Sequence, residues 1–494
     1  MGIYKKSVRL IGSNKFFYLI ILLFLLESIW IAISSRYPMA FDEAFHLGII
    51  QLHASQWSPF ITNQAPLTSK YGALTTDPSY LYHYLMSWPW RLVNLLFKSD
   101  TYKIVSLRFI DIGLFAWGII LYRKLLLKVA SPAITNASLL FFVLVPVVPL
   151  LAGQINYDNL VFLLTALTML LAVNFSEKLK KNVVDIKLLI LGFSISLLAC
   201  LVKFAFLPIL SAIALYFAYC LFKFATKPKH SFRKALKLNW NSLSQWRQIG
   251  LIVIFLVSVG LFIRSYGVNV IVYDNLVPQC NQVLSISECR SYGPWNRNYN
   301  DFLNNKNNDI NPIKYTGGWI YGMYERLFFT INGPGNTANY TTVYPLPVIG
   351  ITAAVFSIIG ILLFIRFSKQ ILKKNNLLVF YLFVTFSYIA ALWGRNYHDF
   401  VHLGQVVAVN GRYLVLILPV ITVAIALGFQ KLLASHTKLK FILIVMALLF
   451  FLEGGGPITY IYASNQNWYW PGNNLVQNIN KSAQKVVKPW VITW

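Results

Sequence analysis

Apolar runs about as long as a bilayer is thick recur along this chain, and they leave it few ways to fold. Roughly 20 apolar residues span hydrocarbon as one helix. A backbone in hydrocarbon must also pair its N–H and C=O groups internally, which excludes open sheets and loops there. The runs are Phe16–Ile33, Ile104–Leu127, Ala133–Leu151, Leu160–Val173, Leu188–Leu201, Leu207–Phe224, Ile249–Ile263, Val343–Ile365, Leu377–Leu392, Tyr413–Phe429 and Phe441–Tyr462. They predict an all-α polytopic membrane protein with about eleven transmembrane helices. The first run exceeds a secretory h-region and no small-residue cleavage site follows it, so it reads as a retained helix. Tyr80 to Phe97 carries Trp88, Pro89, Trp90 and Arg91 and suits a helix lying in the interface. No repeat of solenoid or inverted-repeat period is visible.

The formal charge of +27 at first suggests a nucleic-acid partner, but its distribution argues against one. The basic residues cluster between apolar runs, at Lys5-Lys6-Arg9, Arg123-Lys124-Lys128, Lys178 to Lys187, Lys223 to Arg247, Arg366 to Lys374 and Lys431 to Lys440. This is the pattern of the positive-inside rule, with anionic lipid head groups as secondary partners. With the N-terminus in the cytoplasm, all these runs fall inside. Of the acidic residues outside the spans, only Glu177 and Asp185 then share that side. His46, His53, His83, His398 and His402 fall outside with the remaining acids. The expected setting is a multi-pass plasma-membrane protein whose chemistry lies on the extracytoplasmic face.

The chain divides into a transmembrane domain, residues 1–462, and a short extracytoplasmic tail, 463–494. Two external loops are large. Residues 34–103 follow the first span, and residues 265–342 form a polar loop rich in Asn, Tyr, Trp and Gly. The Asn-rich part of the second loop, Asn296 to Asn311, reads as a tip or lid. Cys280 and Cys289 share that loop and can pair in an oxidising compartment. Arg395 to His402 reads as a third, short external loop.

Four constellations can carry chemistry. Asp42, Glu43 and His46 follow the first span, and on a helix all three share one face. A carboxylate there can act as a base, or with His46 hold a divalent metal ion. Asp158-Asn159 opens a later span, where the alternative is capping of free backbone N–H groups. Lys203 stands in a short external turn among apolar neighbours, able to meet a phosphate as a point charge or to snorkel to head groups. Arg412 and Tyr413 open the tenth span, where a guanidinium fork and a helix N-terminus both favour an anion. Arg395 and His398 lie in the preceding loop and can join them.

These pieces, in order, resemble the polytopic GT-C glycosyltransferases, the class containing protein O-mannosyltransferases and lipid A aminoarabinose transferase. The matching parts are Phe41-Asp42-Glu43-Ala44-Phe45-His46 after the first span, Asn156-Tyr157-Asp158-Asn159-Leu160, Lys203, and Gly411-Arg412-Tyr413-Leu414 leading to Pro419. The Asp-Glu-x-x-His and Gly-Arg-Tyr pieces look most like a largely uncharacterised bacterial branch. The resemblance implies GT-C-like architecture and transfer of a sugar from a polyprenyl-phosphate donor to a lipid, glycan or protein acceptor. It implies a base at Asp42 with Glu43 beside it, and a donor phosphate held by Lys203 and Arg412. The short tail departs from the oligosaccharyltransferases, which carry a large soluble domain. The aminoarabinose-transferase pattern is matched only in part, so neither its donor nor its acceptor carries over.

Two other classes compete. A lipid or solute transporter needs ionisable groups at mid-membrane and paired repeats; by depth only Glu27, Asp111 and Asp158 qualify. A non-catalytic envelope scaffold would tolerate substitution of Asp42 and Arg412.

Overall fold

The computed structural model describes residues 2–226, 232–305, 310–328, 330–331, 342–343, 347–373, 375–433, 439, 461, 466–472 and 474–487. Among these residues, 7 helices are long and apolar enough to cross a membrane: Asn14–Ser34, Asp100–Leu126, Tyr157–Lys180, Phe204–Ala225, Gln245–Tyr273, Thr352–Lys373 and Asn376–Leu403. Three shorter apolar helices, Pro132–Val143, Ile186–Val202 and Leu418–Leu432, coincide with three further expected spans. The remaining one, Phe441–Tyr462, lies outside the described residues apart from Ile461. The chain is therefore an all-α, multi-pass membrane protein. A two-residue antiparallel pairing, Thr330–Ile331 with Thr342–Val343, is the strand structure among the described residues.

Burial separates core helices from lipid-facing ones. The most apolar window of Tyr157–Lys180 is 67% buried and that of Thr352–Lys373 only 11%. An apolar helix so little covered by protein needs hydrocarbon around it. In the core, Phe115 and Phe162 stack at 4.1 Å, Phe24 lies 5.4 Å from Phe115, and Phe142 lies 5.5 Å from Phe162. This ladder joins Asn14–Ser34, Asp100–Leu126, Pro132–Val143 and Tyr157–Lys180. Gly118 makes the close crossing possible, since a Cβ there would meet the Phe162 ring at 2.5 Å.

Helix ends follow side-chain chemistry. Ser13 accepts from the Phe16 N–H at 3.1 Å and Asp185 from the Leu188 N–H at 3.2 Å, each relieving an unpaired donor. The cap of Tyr157–Lys180 is Asn156, which accepts from the Asp158 N–H at 2.9 Å. Asp158 and Asn159, for which capping was one of two readings, are thereby released for other contacts.

The regions expected to be external loops are more helical than their composition predicts. Arg395–His402, expected as a loop, forms the last turns of Asn376–Leu403. Trp393, Asn396, Tyr397 and Phe400 recur at helical spacing and pack on the helix Pro312–Glu325. Trp319 Nε1 donates to Asn396 Oδ1 and Trp393 Nε1 to Thr316 Oγ1, both at 3.1 Å. Part of the expected Asn-rich tip is likewise helix, Gly293–Leu303, while residues 306–309 lie outside the described set. Cys280 and Cys289 are disulfide-bonded. Leu81–Leu96 buries Tyr82, His83, Met86 and Trp90 and exposes Leu85, Trp88, Leu92 and Leu95, the two-faced pattern of an interfacial helix.

Candidate functional site

The site begins with a buried arginine in a span. Arg108 of Asp100–Leu126 is fully buried, and a guanidinium cannot shed its charge, so it must be paired. Its Nε and Nη2 donate to Glu43 Oε1 and Oε2, both at 2.8 Å. Its Nη1 donates to the carbonyls of Ala32 at 2.9 Å and Ser35 at 2.7 Å. Glu43 also accepts from the Met39 N–H at 2.7 Å and the Ile155 N–H at 3.1 Å. Four donors thus occupy the roughly four acceptor positions of one carboxylate. Glu43 ties the end of the first span to the turn at Ile155, and no lone pair is left for a substrate. The sequence paired it with Asp42 in catalysis; the structure gives it a holding position.

Asp42 points elsewhere because of the backbone. Phe41 and Asp42 both have left-handed conformations, φ 64° and 70°. Such conformations are unfavourable for residues with a Cβ and persist only where the surroundings impose them. Here the Phe41 carbonyl accepts from Asn156 Nδ2 at 2.9 Å, and the helix Glu43–Ala54 starts one residue later. Asp42 therefore stands outside that helix, and its side chain, 55% exposed, meets Arg412. The expected single face of Asp42, Glu43 and His46 does not form.

His46 turns to a third set of partners. Its Nδ1 lies 2.9 Å from His83 Nε2, the rings stack, and Tyr157 meets His46 edge-on at 4.5 Å. Burial pushes both imidazoles well below the usual histidine range. For His46 the positive charges of Arg412 and Lys203 push in the same direction. The pair is neutral and shares one hydrogen bond.

The cations come from two distant parts of the chain. Lys203 follows Ile186–Val202 and is buried; its Nζ donates to Asp158 Oδ1 at 2.5 Å. It also lies over the rings of Tyr157 at 4.6 Å and Tyr413 at 4.8 Å. Arg412 sits in the short 3₁₀ helix Gly411–Leu416, capped by Asn410, whose Oδ1 accepts from the Arg412 N–H at 3.0 Å. Gly411 permits the placement, because a Cβ there would meet the backbone of Met323 and Leu327 at 2.5 and 2.7 Å. Arg412 Nη2 donates to Asp42 Oδ2 at 2.8 Å and to the Tyr413 hydroxyl at 3.3 Å. The guanidinium lies over Phe41 at 4.9 Å.

Among the described residues, Arg412 Nε, Arg412 Nη1 and Asp158 Oδ2 are buried here without a hydrogen-bond partner, as is His83 Nδ1. Unsatisfied buried polar atoms are costly, and water, an ion or a ligand group can complete their pairing. The cluster offers a fork of donors suited to an anion and a carboxylate oxygen suited to a hydroxyl, between aromatic walls.

The structure thus joins Asp42, His46, Asp158, Lys203, Arg412 and Tyr413 in one cluster of contacts, with Tyr157 between His46 and Lys203. It does not join Arg395 and His398 to them. Arg395 Nε pairs with Asp399 at 3.2 Å, and His398 stacks on His402 at 4.0 Å; both side chains are largely exposed. Sequence reasoning missed Arg108 altogether, and it missed the roles of Asn156, which holds the Phe41 carbonyl, and His83, the partner of His46. For Arg108 a signal existed, a charge inside an apolar run. For a metal, no three His, Cys, Asp or Glu side chains converge among the described residues. Neither a protein-family model nor a curated protein matches the chain.

Proposed function

We propose that the chain is a GT-C-type membrane glycosyltransferase. It moves a sugar from a polyprenyl-phosphate donor to a lipid, glycan or protein acceptor at the extracytoplasmic face. The observation that supports this reading most is the pair of unsatisfied guanidinium nitrogens on Arg412, beside an aspartate that reaches solvent. A donor phosphate would take Nη2 from Asp42 and pair through it with the open Nε or Nη1 beside it, with Lys203 behind. The sugar hydroxyls would find Asp158 Oδ2.

In the proposed step Asp42 takes the proton of the acceptor hydroxyl. The acceptor oxygen forms the new bond to the anomeric carbon as the bond from that carbon to the phosphate oxygen breaks, with inversion. Polyprenyl phosphate leaves with the electron pair, and its growing charge is met by Arg412 and Lys203. In the free protein Arg412 is engaged with Asp42, so phosphate binding would loosen that pair and free the base as the donor arrives.

The test is transfer of labelled sugar from polyprenyl-phosphate donors by protein in liposomes with an envelope acceptor fraction. Wild-type transfer that falls by roughly two to four orders of magnitude in Asp42→Asn supports the reading. Transfer unchanged in Asp42→Asn removes the proposed base.

A further inference from the structure

A cavity lies at the end of the helices opposite the Asp42–Arg412 cluster, where lysines gather. It occupies about 560 Å³ between the ends of Tyr157–Lys180 and Leu207–Ala225 and the start of Asn376–Leu403. Its floor is the stacked pair Tyr216 and Phe380, centroids 3.8 Å apart, and Leu215 and Val379 contribute apolar, exposed walls. At its rim stand Lys180 and Lys223. Among the described residues neither lysine has a carboxylate partner, whereas nearby Lys128 is paired with Glu177 at 2.7 Å. The N-terminus of Asn376–Leu403, a 28-residue helix, meets the same cavity through Asn376 and adds partial positive charge.

We infer that this groove is a binding site for an anionic glycerophospholipid, with an acyl chain against Tyr216 and Phe380 and the phosphate between Lys180 and Lys223. Position and charge select the occupant. The groove is walled by membrane-spanning helices, so lipid is what meets it. The unpaired lysines at one end select an anionic head group over a zwitterionic one. The site is separate from the Asp42–Arg412 cluster, since the Tyr157 end of the helix Tyr157–Lys180 lies there and the Lys180 end lies here.

The test is native mass spectrometry of detergent-purified protein titrated with dioleoyl phosphatidylglycerol or dioleoyl phosphatidylcholine. Four proteins are compared: wild type, Lys180→Gln/Lys223→Gln, Leu215→Trp, which fills the groove and keeps both charges, and Lys369→Gln/Lys373→Gln, a control on the exposed end of another helix. The expected result is retention of phosphatidylglycerol over phosphatidylcholine by wild type and control. The lysine pair variant should bind it about 10- to 30-fold more weakly, and Leu215→Trp should lose it. Equal retention of both lipids, full retention by Lys180→Gln/Lys223→Gln or Leu215→Trp, or an equal loss in the control overturns the assignment.

Discussion

Arg412 donates to Asp42 at 2.8 Å across 370 positions of sequence, joining the segment after the first span to the approach of a late apolar helix. The contact leaves Arg412 Nε and Nη1 unsatisfied and Asp42 half open to solvent. Under the proposed function this is a resting arrangement, in which a donor phosphate would take the cation and release Asp42 as the base.

That arrangement predicts different defects for its two halves. Arg412→Lys keeps the charge but loses the fork, so donor KM should rise at least tenfold with a smaller loss in kcat. Asp42→Asn should lower kcat while leaving donor binding near wild type. Steady-state transfer assays over a range of donor concentrations separate the two, and identical kinetic defects would count against the division of labour.

The Glu43–Arg108 pair is predicted to carry stability. Both side chains are fully buried, so removing one partner strands a charge. Breaking such a pair costs about 3–5 kcal/mol. Arg108→Met should therefore lower the melting temperature in detergent strongly, and Glu43→Gln added to it should recover part of the loss. A melting temperature unchanged in Arg108→Met would show that the pair holds nothing together.

Gly411 is predicted to be irreplaceable at the level of the site. A methyl group must push against the backbone of Met323–Leu327, which has no side-chain freedom to yield. Gly411→Ala should displace Arg412 and reduce transfer at least tenfold, while Gly394→Ala, where a Cβ meets nothing within 4 Å, should not. Parallel activity and melting measurements on both variants check this.

Acid should destabilise the protein through its buried imidazoles. His46 and His83 are held well below the usual histidine range and His53 is lowered to about 4, burial being the first cause for each. The unfolded chain, with histidine near 6.5, then binds more protons than the folded one. Stability is thus complete above about 6.5 and is lost as pH falls from there toward the folded values, about 4 for His53. His53→Asn should flatten the fall in melting temperature between pH 7 and pH 4.5. An equal slope in wild type and variant would remove His53 from the effect.

Most of the helices were legible in the sequence because hydrocarbon imposes one answer on a long apolar run. The extension of Asn376–Leu403 through Arg395–His402 was not, because it depends on Trp393, Asn396 and Phe400 finding Trp319, Thr316 and Tyr315 on another helix. At the site, the residue types were legible and their grouping was not. Asp42, Lys203 and Arg412 stand out as ionisable groups at helix junctions. The separation of Asp42 from Glu43 rests on two left-handed residues that no spacing reveals, and on Arg108, hidden in an apolar run.

The most direct test of the central claim is sugar transfer by purified protein in liposomes, using labelled polyprenyl-phosphate sugars and an envelope acceptor fraction, with wild type, Asp42→Asn and Arg412→Lys side by side. The account predicts transfer by wild type that is nearly lost in Asp42→Asn and restored in Arg412→Lys by excess donor. Movement of the intact donor lipid across the bilayer with no new glycosidic bond, in wild type and both variants alike, would contradict it.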